Sequence, residues 1–579
     1  MNTIIDTISI WTTAQKLKTS GRGRSATNQS LHGINKLRGL ILDLAIQGKL
    51  IPQDPNDEQA SVLLKKIAKE EKGLIKEKKI KKPKVLSEIG NDEIPFSLPK
   101  GWQFTRLNNI GEWGAGATPN RGNPEYYGGD IPWFKSGELI GQYISECEEY
   151  VTELALTKAS LRYNKVGDVL IAMYGATIGK TSILAIPATT NQAVCACTPF
   201  SGIYNVFLLT LLQAYKSRFI GMGAGGAQPN ISREKIIATV IALPPLAEQH
   251  RIVFKVDELM ALCDQLEQQQ TDSNSAHEIL VETLLDTLTN APDQAELETA
   301  WQRISSHFKT LFTTEHSIDR LKQTILQLAV MGKLVPQNPD DEPASVLLKK
   351  IAKEKGRLVK EGKIRKQNPL AKIEEDEMIF GLPESWEVSR LGTFTIVGTG
   401  STPSREKMQY YSPQEFNWVS SGETSQDFIY DTNEKISSLA LKETNVSIYP
   451  KGTLIVAMYG QGKTRGQVSE LMIEAGTNQA CAAVVFINKE EAHRKYLKYF
   501  FKKAYDEIRS HSAGGAQPNL NLGKVANTVI PIPPLAEQHR IVAKVDELFA
   551  ICDALKERIN ESQVTQLNLA DALVDGAVG

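Results

Sequence analysis

The seven residues AGGAQPN occur twice in this 579-residue chain, at 224–230 and again 289 residues later at 513–519. Each copy leads into the ten-residue string PPLAEQHRIV, at 244–253 and at 533–542. Solenoid units run to about 20–50 residues, so a period this long means that each copy is a module with a domain of its own. Other strings return in the same order. IQGKLIPQ at 46–53 becomes VMGKLVPQ at 330–337, and SVLLKKIAKE at 61–70 is unchanged at 345–354. LPKGW at 98–102 matches LPESW at 382–386, GATP at 116–119 matches GSTP at 400–403, and IAMYG at 171–175 matches VAMYG at 456–460. The offset drifts from 284 to 289, which a few small insertions explain.

Each copy reads in three parts: a helical, lysine-rich piece, a mixed strand-rich domain, and a long helix. Prolines stand just before Leu246 and Leu535, where a helix tolerates them because its first N–H groups have no partner within the helix. From there Ile252, Val256, Leu259, Cys263 and Leu266 are spaced 4, 3, 4 and 3 apart, and Ile541, Val545, Leu548, Cys552, Leu555 and Ile559 keep the same rhythm. That is a heptad seam, which serves a coiled coil or a helix packed on its own domain. Upstream, Ile34, Leu37, Ile41 and Leu44 mirror Ile318, Leu321, Ile325 and Leu328 and offer stripes to pack against. The expected fold is α+β: two mixed α/β domains separated by a stalk of long antiparallel, coiled-coil-like helices, as a pseudo-two-fold tandem repeat. The expected boundaries are 1–97 (tail and helical region), 98–244 (first mixed domain), 245–381 (central helical region), 382–533 (second mixed domain) and 534–579 (last helix). Residues 1–30, ending in GRGRSATNQS, read as a flexible lead-in.

Strings that suggest catalysis fail when the two copies are compared. GATIGKT at 175–181 has three residues between its glycines where a P-loop has four, and the second copy shortens to GQGKT at 460–464. GMGAGG at 221–226 follows a helical pattern rather than a strand, and its counterpart SHSAGG at 510–515 lacks the first two glycines. There is no HExxH, GxSxG or Asn-Pro-Pro-Tyr string, and the eight histidines are scattered. The six cysteines form no CxxC pair, which fits buried thiols in a reducing compartment. With no signal-peptide pattern and no apolar run of 18 residues, a cytoplasmic protein is expected, not associated with membrane. A binding protein rather than an enzyme is the reading these residues favour. A nucleotide-dependent enzyme using the GKT strings, and a two-headed scaffold for proteins, are the alternatives.

Two mixed domains entered at LPxxW and left through PPLAEQHRIV plus a heptad, twice in one chain, resemble the specificity subunit of type I DNA restriction–modification systems. The IQGKLIPQ and SVLLKKIAKE pieces are similar to those of the longer members. The resemblance implies that each mixed domain is a target recognition domain reading one half of a split, asymmetric double-stranded DNA site. It implies partners too: methyltransferase subunits, two of them, and restriction subunits. Their cofactors, S-adenosylmethionine, ATP and Mg2+, belong to those chains, with none in this one and no metal site. A helix from Leu246 to about Gln270 is roughly 37 Å long, near the 34–36 Å or so of one B-DNA turn.

Within one chain the duplication is its own control. Features shared by both domains are expected to be scaffold or phosphate contacts, and base readers are expected among those that differ. The shared polar positions are Thr118, Arg121, Tyr174, Lys180, Thr181, Asn191, Gln228 and Asn230 in the first copy. Their counterparts are Thr402, Arg405, Tyr459, Lys463, Thr464, Asn478, Gln517 and Asn519. Arg and Lys suit phosphates; Gln and Asn serve either loop backbone or DNA. The unlike candidates are Lys135, Lys216, Arg218, Ser232 and Arg233, against Ser420, Tyr505, His511 and Asn521. The domains are weakly basic: 98–245 holds 12 Lys and Arg against 10 Asp and Glu. The lysine-rich runs at 65–84 and 349–366 are stronger and read either as solvated helix faces or as phosphate contacts.

Overall fold

The computed structural model describes residues 7–17, 29–223, 229–367, 369–374, 377, 381–460, 464–510 and 520–578. These fall into two compact units, one holding residues from 7 to 272 together with 563–578, the other holding 273–562.

In the first unit the helix His32–Ile46 buries Ile34, Leu37 and Ile41 against Ile252, Val256, Leu259 and Cys263 of the long helix, so the expected seam is a packed one. The helix stops at Gly48, whose φ of +68° is the left-handed conformation that glycine adopts without a Cβ penalty, and the Lys49 N–H closes on the Leu44 carbonyl at 2.9 Å. A Cβ at 48 would run into Pro99 and the Trp102 ring. The lysine-rich helix Ala60–Lys76 follows, with Leu63 and Ile67 buried. Strands Gly111–Ala115, Val194–Pro199, Val169–Ala172, Thr181–Leu184 and Tyr143–Ile144 form, in that order, a five-stranded sheet. Its central strand, VLIA, is buried on both faces and therefore carries no polar alternation. A separate two-stranded sheet joins Gln103–Arg106 to Val240–Leu243, bringing the entry and the exit of the mixed domain side by side.

The second unit repeats this plan. Strands Thr395–Thr399, Cys481–Phe486, Leu454–Ala457, Val468–Leu471 and Phe428–Ile429 stand in the same order, and Glu387–Arg390 pairs with Val529–Ile532. Helices Glu315–Val330 and Ala344–Lys360 occupy the places of His32–Ile46 and Ala60–Lys76.

Two expectations need correction. The long helices run Leu246–Asn290 and Leu535–Val578, 45 and 44 residues, not about 25. The polar stretch QQQTDSNSAHE at 268–278 carries no apolar seam, yet a second seam of Val281, Leu285 and Leu288 takes over and packs with Ile318, Leu321 and Ile325. The helix length therefore does not match a single turn of DNA. Second, the lead-in is anchored: Ile8–Thr13 is helical and Trp11 is 1% exposed, packed into the first core. Most of GRGRSATNQS lies outside the described residues. The last helix is divided between the units, residues 563–578 belonging to the first. There Ala570 is buried and Asp571 bonds Lys36 at 2.9 Å and His32 at 3.2 Å.

Candidate nucleic-acid interface

In each unit the repeated strings meet at one buried node. Trp102, from LPKGW, donates its indole N–H to Glu248 Oε2 at 3.0 Å, and Gln53 reaches Glu248 Oε1 at 3.2 Å. In the second unit Trp386 and Gln337 reach Glu537 at 2.9 and 2.7 Å. Both glutamates sit in the AEQ of PPLAEQ and are at most 1% exposed. Burial pushes their carboxyls above the ordinary range, against the pull of the two donors. The next residue, Gln249 or Gln538, is fully buried and ties the prolines to the domain: Gln249 Oε1 accepts from the Tyr204 N–H at 2.9 Å, and Gln538 Oε1 faces His493 Nδ1 at 2.9 Å. Arg251 forks onto Asp57 at 2.6 and 3.3 Å, and Arg540 onto Asp341 at 2.7 and 3.3 Å. His250 is exposed and stacks on Tyr204, with ring centroids 4.1 Å apart. These strings fix the domain on its helices.

The candidate contact residues lie beyond this node, on the loops of the sheet. In the first domain Arg121 bonds Glu149 at 2.6 Å and lies 4.7 Å from the Tyr127 ring and 5.1 Å from Trp133. Glu149 also accepts from Lys135 at 3.1 Å, and these two cations hold its carboxyl below the ordinary range. Lys180 Nζ reaches the Gly137 carbonyl at 3.5 Å, one turn away from Lys135. Gly179 passes so close to Lys216 that a Cβ would sit 2.8 Å from its Cγ. Tyr174 pairs with Asn230 in an isolated bridge, and the Gly175 N–H donates to the Pro229 carbonyl at 2.8 Å. Arg121, Lys135, Lys180 and Lys216 thus follow one another along one loop surface, with Tyr174 and Asn230 joined to it. Lys216 and Arg218 are exposed, the latter over the Tyr215 ring at 5.6 Å. Thr118 is exposed as well.

The GKT loop is not a phosphate cradle. The N–H groups of Gly175, Ile178, Gly179 and Lys180 are all committed to carbonyls of Pro229, Gly175, Ala172 and Thr177. Thr181 is 8% exposed inside its strand.

In the second domain Arg405 repeats the arrangement, 2.7 Å from Glu434, 4.8 Å from the Tyr411 ring and 5.5 Å from Trp418. Thr402 donates to Gln479, Tyr459 is 36% exposed, and Thr464 packs on Gly460. Tyr505 is on the helix Glu491–Ser510 and lines a cleft of about 800 Å³ with Asp427 and Lys502. Gln228, Lys463, His511, Gln517 and Asn519 lie outside the described residues.

Several candidates turn out to hold backbone. Asn191 Oδ1 accepts from the Ala193 N–H at 3.1 Å, and Asn478 Oδ1 from the Ala480 N–H at 3.0 Å. Ser232 and Asn521 both cap short helices, accepting from Lys235 and Lys524 N–H groups, so two unlike residues do one job. Arg233 pairs with its neighbour Glu234 at 3.2 Å. Lys135 and Ser420 occupy equivalent caps, their N–H groups bonded to Glu138 and Glu423 at 2.6 and 2.7 Å. Their side chains differ: the ammonium of Lys135 extends to Glu148 and Glu149, whereas the Ser420 hydroxyl turns back to Glu423 at 3.0 Å. Sequence reading missed Glu149 and Glu434, which orient the paired arginines, and the buried Glu248 and Glu537. Five cysteines are buried and Cys147 is partly so; burial pushes the Cys195 and Cys481 thiols up to about 12. Among the described residues no cluster of His, Cys, Asp and Glu is suited to a metal, and no helix is long and apolar enough to cross a membrane.

Residues 99–273 and 383–563 match the family model of the type I restriction modification DNA specificity domain. The chain is 38% identical to the type I restriction enzyme EcoAI specificity subunit of Escherichia coli, over 99% of each chain. It is 36% identical to the EcoEI specificity subunit of Escherichia coli, again over 99% of each. A solved HsdS subunit from Thermoanaerobacter tengcongensis aligns over 84% of this chain and 98% of its own, at 18% identity and a TM-score of 0.41. Two matched domains and similarity over almost the whole length lead to one conclusion: the chain belongs to the family of type I restriction–modification DNA specificity subunits, not to that of the catalytic chains.

Proposed function

We propose that this subunit reads a bipartite, asymmetric DNA site, one half with each mixed domain, and holds methyltransferase and restriction subunits on its helical regions. Adenine methylation and ATP-dependent cleavage then reside in those partners, with S-adenosylmethionine, ATP and Mg2+ as their cofactors. One observation carries the reading. The node of Trp102, Gln53 and Glu248 is reproduced in the second unit bond for bond, while the loop surfaces beyond it differ in charge, as at Lys135 and Ser420. A common frame with unlike faces is what two half-sites of different sequence require. Arg121 and Arg405, held by a carboxylate and stacked on rings, are the shared phosphate contacts in this reading. Lys135 and Lys216, which stand against Ser420 and Tyr505 in the second copy, make the first domain the more basic at these positions. The test is co-purification of the chain with a methyltransferase partner and mapping of the modified bases. One split motif is expected. Replacing residues 98–244 by the corresponding domain of another specificity subunit changes one half of that motif only. An unaltered motif after the exchange removes base reading from this domain.

A further inference from the structure

The lysine-rich faces of two helices have no part in the frame or in the loop surfaces. Residues 65–84 contain ten lysines and three glutamates; residues 349–366 contain nine Lys and Arg and two glutamates. In Ala60–Lys76 the lysines at 65, 69, 72 and 76 are spaced 4, 3 and 4 apart, so they line one helix face, opposite the buried Leu63 and Ile67. All four are exposed, and among the described residues none has a carboxylate at ion-pair distance. Four more unpaired lysines lie between 78 and 84. Lys349, Lys353 and Lys360 are likewise exposed and unpaired in the second copy.

Packing does not account for this. Of the ten identical residues in SVLLKKIAKE, two are buried in each copy, Leu63 and Ile67 in one, Leu347 and Ile351 in the other. The lysines are identical where the core asks nothing of them. Nor are the segments loose tethers. Asn108 holds the Lys84 carbonyl at 3.4 Å, and Arg106 holds those of Ser87 and Glu88 at 3.1 and 3.3 Å. In the second unit Lys355 donates to the Gly392, Thr393 and Thr395 carbonyls, and Arg390 to those of Ala371 and Lys372. Each basic helix is therefore fixed to the mixed domain of its own unit. That domain, with its excess of two positive charges over 98–245, is a weak polyanion binder by itself.

We propose that the unpaired lysine faces of Ala60–Lys76 and Ala344–Lys360 contact DNA phosphates outside the bases each domain reads, and so supply a large part of the sequence-independent binding. This rests on the DNA reading proposed above. A row of like charges with no internal partner fits a polyphosphate, and a duplex offers the same backbone to both copies whatever the half-site sequence.

The test is DNA affinity as a function of salt for the full chain assembled with its methyltransferase partner. The variant carries Lys65→Gln, Lys69→Gln, Lys72→Gln and Lys76→Gln, which keep helix propensity. Each lost phosphate contact lowers the slope of log affinity against log salt by about 0.9, so a fall of about 3–4 is expected with the preferred sequence unchanged. Lys66→Gln is the internal control: Lys66 is paired with Glu58 at 2.6 Å, and its loss should leave the slope as it was. A fourfold variant with the parent slope, while the parent complex binds its site, overturns the inference. So does a variant that loses its partner subunits at unchanged slope, which marks the face as a protein dock. A parent complex that prefers no sequence overturns the specificity reading instead.

Discussion

The two units share a frame but fill one region differently. In the first, the strand Thr181–Leu184 turns Ile183 toward the helix Asn205–Ala214, where Leu209 is also buried. In the second, the equivalent strand Val468–Leu471 carries Glu470, 3% exposed, opposite a helix that carries Arg494 and Lys498. Arg494 bonds Glu470 at 2.6 Å, and Lys498 lies 3.8 Å from it, 3.5 Å from the Phe428 ring and 2.6 Å from the Asp427 carbonyl. Burial pulls the Lys498 ammonium down to about 8. An apolar contact and a buried ionic cluster thus hold the same helix on the same sheet. Buried charges gain little over a good apolar contact, because desolvation offsets their attraction, but half a cluster is costly. The ionic version favours a particular partner set, and its failure modes are its own.

The largest expected effect follows from breaking that set. Glu470→Ile alone leaves the buried Lys498 and the half-buried Arg494 without their shared carboxylate and should cost about 3–5 kcal/mol in denaturant unfolding of the second unit. A loss below about 1 kcal/mol would show that the cluster relaxes into water. Next comes acid. His493 is 1% exposed and burial pulls its imidazole down to about 4, whereas Tyr204 stands in its place in the first unit. Its folded value lies below the ordinary 6.5, so the unfolded chain binds the proton first as pH falls. The stability is complete above pH 6.5 and is lost toward pH 4, by up to roughly 3 kcal/mol. Unfolding midpoints between those pH values should show the fall in the second unit, and His493→Tyr should flatten it.

A third variant, Glu470→Ile with Arg494→Asn and Lys498→Leu, gives the second unit the residues of the first. No loss, or a gain on the order of 1–4 kcal/mol, is expected from thermal unfolding. A loss as large as that of Glu470→Ile alone would mean that the two units are not interchangeable at this contact. The smallest effects belong to Arg121→Ala and Arg405→Ala. Both arginines are more than half exposed and similarly held, so each should cost on the order of 1 kcal/mol or less, nearly equally, in melting experiments. Unequal losses would separate two sites that the structure makes equivalent.

Much of the frame was legible because it is written twice. The repeat and the heptads follow from strings such as PPLAEQHRIV, and the buried seams after Leu246 and Leu535 are those the spacing predicts. The helix ends were not legible, since a polar stretch with no neighbour to pack on looks the same whether a helix ends there or continues. Glu248 and Glu537 read as ordinary acidic residues of a helix start, and only the distant Trp102 and Trp386 reveal them as buried acceptors. Other residues carry a local signal. SSGE at 420–423 has the S-x-x-E spacing of a capping box, and Ser232 and Asn521 stand where helix caps stand. Unlikeness between the copies was too coarse a guide at Ser232 and Asn521, because chemically similar residues exchange freely at a cap.

The central claim is that each mixed domain reads its own half of the site. The most direct measurement replaces residues 98–244 by a second copy of residues 382–533 and maps the bases modified by the assembled methyltransferase. Loss of the original first half, and its replacement by a second occurrence of the other half, is the predicted result. A map that keeps both original halves would contradict the account.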